Sequence, residues 1–368
     1  MEGRPPVGVT RPDVNRSLLR FLRRWGASPA EIERAVHDGY LTLLVFDRTI
    51  LPGARKYTQA EVAAQAGTDL ATARAVWRAL GFPDLPADQR AFTDADVEAL
   101  RGLTRRLQRP WVYKWSLDRA LLQARVLSAA LARIADAESD DFAQSVDDAR
   151  RAGVSDEALA ELVSQNLDFD EVSRLVDHAH RLQLRAAMWR KLAGGEPGAP
   201  GTLETSVGFV DLVGYTALSE GLDDQELGDL VERFAAIAHD SVVGAGGRIV
   251  KTIGDEVMYV ADEPATAASI ALHLAEASTS NAVLPDARAG VATGSVLSRE
   301  GDYFGPVVNL ASRLSELAYP GSVLVSSEVA EALEGDQRFA LLRLPRRQVR
   351  GIGRIDIYRL QAPPPLAT

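Results

Sequence analysis

The chain contains no cysteine, which excludes a disulfide framework and any zinc or redox site built on thiolates. No apolar run approaches the roughly eighteen residues of a membrane span, and the N-terminus lacks the apolar stretch of a signal peptide. A cytoplasmic protein with no membrane partner is therefore expected. Tryptophan is missing from the second half: Trp25, Trp77, Trp111, Trp115 and Trp189 account for all five. Lysine is scarce throughout, with 4 lysines against 37 arginines, and beyond Lys191 only Lys251 remains. Because the two cations are not interchangeable, a solitary lysine in an arginine-choosing chain points to a chemical reason for it.

Excess positive charge is also lacking. Residues 1–200 hold 28 basic and 28 acidic side chains, and residues 201–368 hold 13 and 23, so the net charge of −10 comes entirely from the second half. Nucleic acid is thus an unlikely partner for that half. An anionic substrate there needs metal ions and specific basic residues. Glycine and proline gather in Leu192-Ala-Gly-Gly-Glu-Pro-Gly-Ala-Pro-Gly201, a breaker signal. The organisation read from these breaks is a helical first domain at 1–191, a Gly/Pro-rich linker at 192–203, a second domain at 204–362 and a tail at 363–368.

In the second half, residues 205–212 are β-branched or aromatic in alternation and read as a strand. Leu227, Leu230, Val231, Phe234, Ile237 and Ala238 recur at helical spacing within 223–243. Two strand-like runs, 248–253 and 257–261, flank Gly254-Asp255-Glu256, a hairpin signal. A helix over 264–277, a strand over 287–293, a helix over 305–318 and a short strand at 323–325 follow. The order β-α-β-β-α-β is that of an α+β, ferredoxin-like core with additions. Such a sheet sets the end of its first strand beside its central hairpin, so that Asp211 and Asp255 face each other. Two carboxylates held close repel unless a cation lies between them, and oxygen-only ligands in a thiol-free site suit Mg²⁺ or Mn²⁺. A site with two such ions is suited to in-line phosphoryl displacement.

Farther on stands Asp302-Tyr-Phe-Gly-Pro-Val-Val-Asn309-Leu-Ala-Ser-Arg313. Together with Val207-Gly-Phe-Val-Asp211 and Lys251-Thr-Ile-Gly-Asp255, this spacing resembles the class III nucleotide cyclases over roughly residues 204–360. The resemblance implies that Asp211 and Asp255 bind two metal ions per site. It implies that Lys251 and Asp302 read the purine, that Asn309 orients the ribose, and that Arg313 stabilises the transition state. Arg350, within Val349-Arg350-Gly351-Ile352-Gly353, is similar to a phosphate-binding basic position. Since the aspartates serve one site and the remaining residues the opposite one, the resemblance also implies a homodimer with two active sites. The polarity of the base readers favours ATP: an ionised Asp302 only accepts and Lys251 only donates, which matches the N6 amino group and N1 of adenine. The expected reaction is formation of 3′,5′-cyclic AMP and pyrophosphate by attack of the 3′-oxygen on the α-phosphorus.

The first half is helical by period. Tyr57 to Phe82 reads as helix, turn at Gly67-Thr68, helix, and resembles a winged-helix or MerR-like helix-turn-helix unit. Thr93 or Asp94 caps a further helix. The arrangement is similar to regulatory domains found before actinobacterial-type cyclases. A long helix over 168–192 carries His178 and His180 beside Asp177. They are either a regulatory pair, since histidine changes charge near neutral pH, or two solvated surface histidines. A different reading of the whole chain is a DNA-binding transcription regulator whose cyclase domain has decayed into a nucleotide sensor. The second helix of the unit, however, offers only Arg74 and Arg78 as basic groups.

Overall fold

The computed structural model describes residues 15–109, 116–193, 201–215, 218, 220–281, 283–349 and 351–363. The chain divides into two compact units, Met1–Ala193 and Gly194–Thr368. Among the described residues no helix is long and apolar enough to cross a membrane.

The first unit contains α1 (Arg16–Arg24), α2 (Pro29–Asp38), α3 (Leu41–Ile50), α4 (Gln59–Ala66), α5 (Leu70–Ala79), α6 (Asp94–Gln108), α7 (Leu117–Arg151), α8 (Asp156–Asn166) and α9 (Phe169–Ala193). Its buried residues form two small cores. One joins Leu18, Leu22, Ile32, Ala35, Leu41 and Val45 to Ala160 of α8. Tyr40, at the head of α3, offers no side-chain cap. Asp156 of α8 fills that role, accepting hydrogen bonds from Leu41 N at 2.6 Å and Thr42 N at 3.4 Å, which satisfies donors the helix leaves unpaired.

The other core contains Val62, Val76, Trp77, Phe92, Val97 and Leu100. Local signals set its helices. Thr58 and Glu61 form a capping box at the start of α4, which ends at left-handed Gly67. Asp69 caps α5, and Thr93 forms a capping box with Asp96 at the start of α6. This is the helix-turn-helix-like unit expected from the sequence, tied off by an antiparallel bridge between Tyr57 and Phe92. By contrast α7, 35 residues long, buries only Ala120 and leaves Leu127, Leu131 and Ile134 exposed.

The second unit is built on an eight-stranded sheet. Its strands are β1 (Thr202–Leu212), β2 (Arg248–Ile253), β3 (Glu256–Ala261), β4 (Ala287–Arg299), β5 (Asp302–Phe304), β6 (Val323–Val325), β7 (Ala340–Val349) and β8 (Gly353–Gln361). Its helices are α10 (Asp224–Gly244), α11 (Pro264–Thr279), α12 (Pro306–Leu317) and α13 (Ser327–Ala332). The strand order is β2-β3-β1-β4-β6-β8-β7, with β5 pairing β4. In the order β2, β3, β1, β4 each strand is antiparallel to its neighbour, and with α10 and α11 they make the expected ferredoxin-like core. β4 pairs parallel with β6. β5, α12, β6, α13 and the β7–β8 hairpin are the additions.

Alternation along the strands assigns the two faces. Val210, Val257, Tyr259, Ala289 and Val291 meet Phe234, Ala238 and Val242 of α10 and Ile270, Ala271 and Leu274 of α11. Val207, Phe209, Met258, Val260, Ala292 and Val296 look the other way, toward Ala311 and Val307 of α12. Two glycines permit this packing. A Cβ on Gly208 would fall 2.1 Å from the Tyr259 ring, and one on Gly290 would fall 2.2 Å from the backbone oxygen of Ala311. Gly290 therefore lets α12 lie directly on β4.

Candidate active site

Asp211 is the penultimate residue of β1. Its cross-strand neighbours are Glu256 on β3 and Arg288 on β4, and the alternation places all three on the face that α12 covers. Arg288 donates to Asp211 Oδ2 from Nε at 2.9 Å and from Nη2 at 2.5 Å, and to the backbone oxygen of Glu316 from Nη1 at 3.2 Å. Asp255 occupies the second loop position of the β2–β3 turn. Gly254 precedes it with φ +60°, as a II′-type hairpin requires of its first loop residue.

Burial pushes the Asp255 carboxyl up to about 6. The charge and hydrogen bonding of neighbouring Asp211 push the same way, and Arg288 opposes them. Glu256 is also raised, first by burial and then by Asp211, Asp255 and Glu316. Two adjacent carboxylates, one of them resisting ionisation, fit a hard cation that would relieve their repulsion. Among the described residues no group of three or more His, Cys, Asp or Glu side chains is assembled to enclose a metal. Asp211 and Asp255 stand as two neighbouring carboxylates at the ends of β1 and of the β2–β3 turn.

Lys251 and Asp302 meet although 51 residues separate them: Nζ donates to Oδ2 at 2.6 Å. Two local features bring them together. A register shift between Ile249 and Lys251 interrupts the β2–β3 pairing, and such a bulge re-aims a side chain. On the other side, Glu300 and Gly301 turn β4 back into β5 with φ of 54° and 87°, and Asp302 is the first residue after that turn. Its Oδ1 accepts from the Tyr303 backbone N–H at 2.8 Å, which fixes the carboxylate plane. The pair is about one-third exposed (34 % and 30 %), open enough to meet a ligand. No hydrogen bond or ion pair among the described residues joins it to Asp211 or Asp255.

Gly305, at φ +133°, and Pro306 begin α12. Asn309 and Arg313 lie one turn apart on it, so they share a helix face. Asn309 is exposed. The Arg313 guanidinium is held by Glu316, with Nη1 donating to Oε2 at 2.6 Å. Arg350 lies outside the described residues. His178 and His180 are exposed on α9 of the helical unit, where Asp177 pairs with Arg181 at 2.7 Å.

Arg288, Glu256 and Glu316 were not among the residues singled out from the sequence. Cross-strand register places Glu256 and Arg288 beside Asp211, and the packing of α12 on the sheet brings Glu316 to Arg288. Arg288 lies 77 positions from the aspartate it holds. The one available signal was its place at the start of the strand-like run 287–293, opposite the end of β1.

Residues 200–362 match the family model described as the adenylate and guanylate cyclase catalytic domain. The chain is 36 % identical over 345 residues to an adenylate cyclase of Glutamicibacter nicotianae, covering 91 % of this chain and 85 % of that protein. It is 35 % identical over 337 residues to an adenylate cyclase of Streptomyces coelicolor, covering 84 % and 87 %. Over 374 residues it is 32 % identical to a pH-sensitive adenylate cyclase of Mycobacterium tuberculosis, covering 96 % and 90 %. These alignments extend through the helical half as well as the sheet half, so the chain belongs to the adenylate and guanylate cyclase family, in the class III form with a helical region ahead of the catalytic domain.

Proposed function

We propose that this protein is an adenylate cyclase that converts ATP to 3′,5′-cyclic AMP and pyrophosphate, with residues 204–362 as the catalytic domain and 1–191 as a regulatory domain. The observation that carries the choice of ATP is the Lys251–Asp302 pair. It presents one donor and one acceptor side by side, the complement of the acceptor and donor on the adenine edge. Guanine offers the reverse polarity. A site that reads a base by buried polar groups rejects the wrong one because those groups are left unpaired.

Asp211 and Asp255 would hold Mg²⁺ or Mn²⁺, two ions per site. When bound, divalent ions neutralise triphosphate charge and make a ribose hydroxyl more acidic. The remaining work falls to side chains. Asn309 orients the ribose so that its 3′-oxygen lies in line with the α-phosphorus, a positioning role. Arg313, once free of Glu316, meets the charge that develops on the α-phosphoryl oxygens. Arg350 is assigned to the departing phosphates. The aspartates serve one site and Lys251, Asp302, Asn309 and Arg313 the opposite one, so activity requires a homodimer with two equivalent sites. On this reading His178 and His180 of α9 carry a pH-linked signal from the regulatory domain.

The test is product formation from ATP and from GTP with Mn²⁺, using the full chain. Cyclic AMP from ATP, with little cyclic GMP from GTP, is expected. Folded dimeric protein that yields neither product sinks the proposal.

A further inference from the structure

Four charged residues, Arg313, Glu316, Arg288 and Asp211, form a connected set beside the last turn of α12. Glu316 holds Arg313 through its carboxylate at 2.6 Å and Arg288 through its backbone oxygen at 3.2 Å. Arg288 in turn holds Asp211 with two donors. The Glu316 carboxylate also lies near enough to the acidic pair for its charge to act on Glu256. One glutamate thus stands between the arginine assigned to one active site and the aspartate assigned to the other. Two residues of this set have a partner that their assigned function requires them to leave: Arg313 must leave Glu316 to reach a phosphoryl group, and Asp211 must lose Arg288 to become a metal ligand.

We infer that Glu316 is an exchangeable counter-ion that couples the two sites of the dimer. When Arg313 turns to substrate in one site, the freed Glu316 carboxylate takes Arg288, whose guanidinium already rests on the same residue's carbonyl. Asp211 is thereby released for a metal ion in the other site. The step is a swap of ion pairs with no net change of charge, since one arginine leaves the glutamate and another arrives. Both partners of the Arg313–Glu316 pair are roughly half exposed, so the swap works against a weak contact, and the expected coupling is about 2- to 5-fold in affinity. Glu316 is a positioning residue on this account, because it touches neither substrate nor metal. The inference rests on the assignment of Asp211 and Arg313 to opposite sites proposed above.

The experiment reads metal affinity without nucleotide and without turnover. Mn²⁺ binding to the full-length dimer is measured by titration calorimetry for wild type, Arg313→Ala, Glu316→Gln and the double variant, with Asp211→Asn marking the site. Arg313→Ala frees Glu316 to draw Arg288 away, so Mn²⁺ affinity is expected to rise about 2- to 5-fold. In the Glu316→Gln background the same Arg313→Ala change is expected to add nothing, because the carboxylate that accepts Arg288 is gone. Equal effects of Arg313→Ala in both backgrounds mean that only its bulk charge matters, and overturn the inference while leaving the proposed function intact. Mn²⁺ binding that Asp211→Asn does not weaken overturns the metal assignment itself, and the inference with it.

Discussion

The two units of this chain stabilise themselves differently. In the sheet unit, one strand layer is covered on both faces by helices, and its cores run from β1 through β4 to β6 and β8. In the helical unit, the buried residues fall into two small groups, and two long helices, α7 and α9, expose leucine, isoleucine, methionine and tryptophan. A sheet fixes each side chain by register and sends alternate residues to opposite faces. That is how Asp211, Glu256 and Arg288, far apart in sequence, arrive at one place. A long helix with little burial fixes its own axis and presents its surface unspent. Precision belongs to the sheet unit and adaptable surface to the helical one, a division that suits a catalytic domain and a regulatory one.

The largest effect that sharpens this contrast is on chemistry. Replacing Arg313 by alanine is expected to lower the rate of cyclic AMP formation by about 10²- to 10³-fold, measured at saturating ATP and Mn²⁺, with the melting temperature nearly unchanged. Next comes packing. Leu314→Ala, at a fully buried position in the core beneath α12, is expected to cost about 2–5 kcal/mol in denaturant unfolding. Leu131→Ala, on the exposed side of α7, should change stability by no more than about 0.5 kcal/mol. Equal losses at the two positions would erase the distinction between the units.

The smallest effect concerns pH. Asp255 binds its proton more tightly folded, at about 6, than at its ordinary value of 3.8. Its contribution to metal-free stability is therefore full below about pH 4 and lost as pH rises through about 6. Melting curves of metal-free wild type and Asp255→Asn, compared from pH 4 to 7, should show a downward slope in wild type that the variant lacks.

Much of the sheet unit was legible because its elements obey strong local rules. The strand expected at 205–212 is found at Thr202–Leu212, and the helix expected at 305–318 is found at Pro306–Leu317. The helix expected over 168–192 spans Phe169–Ala193. The strand expected at 287–293 continues to Arg299, because residues 294–297 pair with the start of β1 and residues 297–299 with β5, a strand of three residues too short to show a period. β7 went unread for a different reason. It carries Arg343, Pro345, Arg346 and Arg347 on the edge of the sheet, and edge strands are often blunted with charge and proline, which removes the alternation that marks a strand. At the site, Lys251 and Asp302 were marked by the family resemblance, and the structure joins them. Arg288 and Glu316 stand in no motif, and they meet Asp211 and each other only when β4 lies beside β1 and α12 above them.

The scarcity of lysine has a practical consequence. Residues 201–368 contain a single lysine, and it is one-third exposed and bonded to Asp302. An amine-selective acylating reagent therefore meets one side-chain target in the whole sheet unit, at the atom assigned to reading the base. It reacts there only when the ammonium lets go of its carboxylate and gives up a proton. The rate of labelling at Lys251 becomes a clock for how often that pair opens, and a nucleotide that occupies the pair stops the clock.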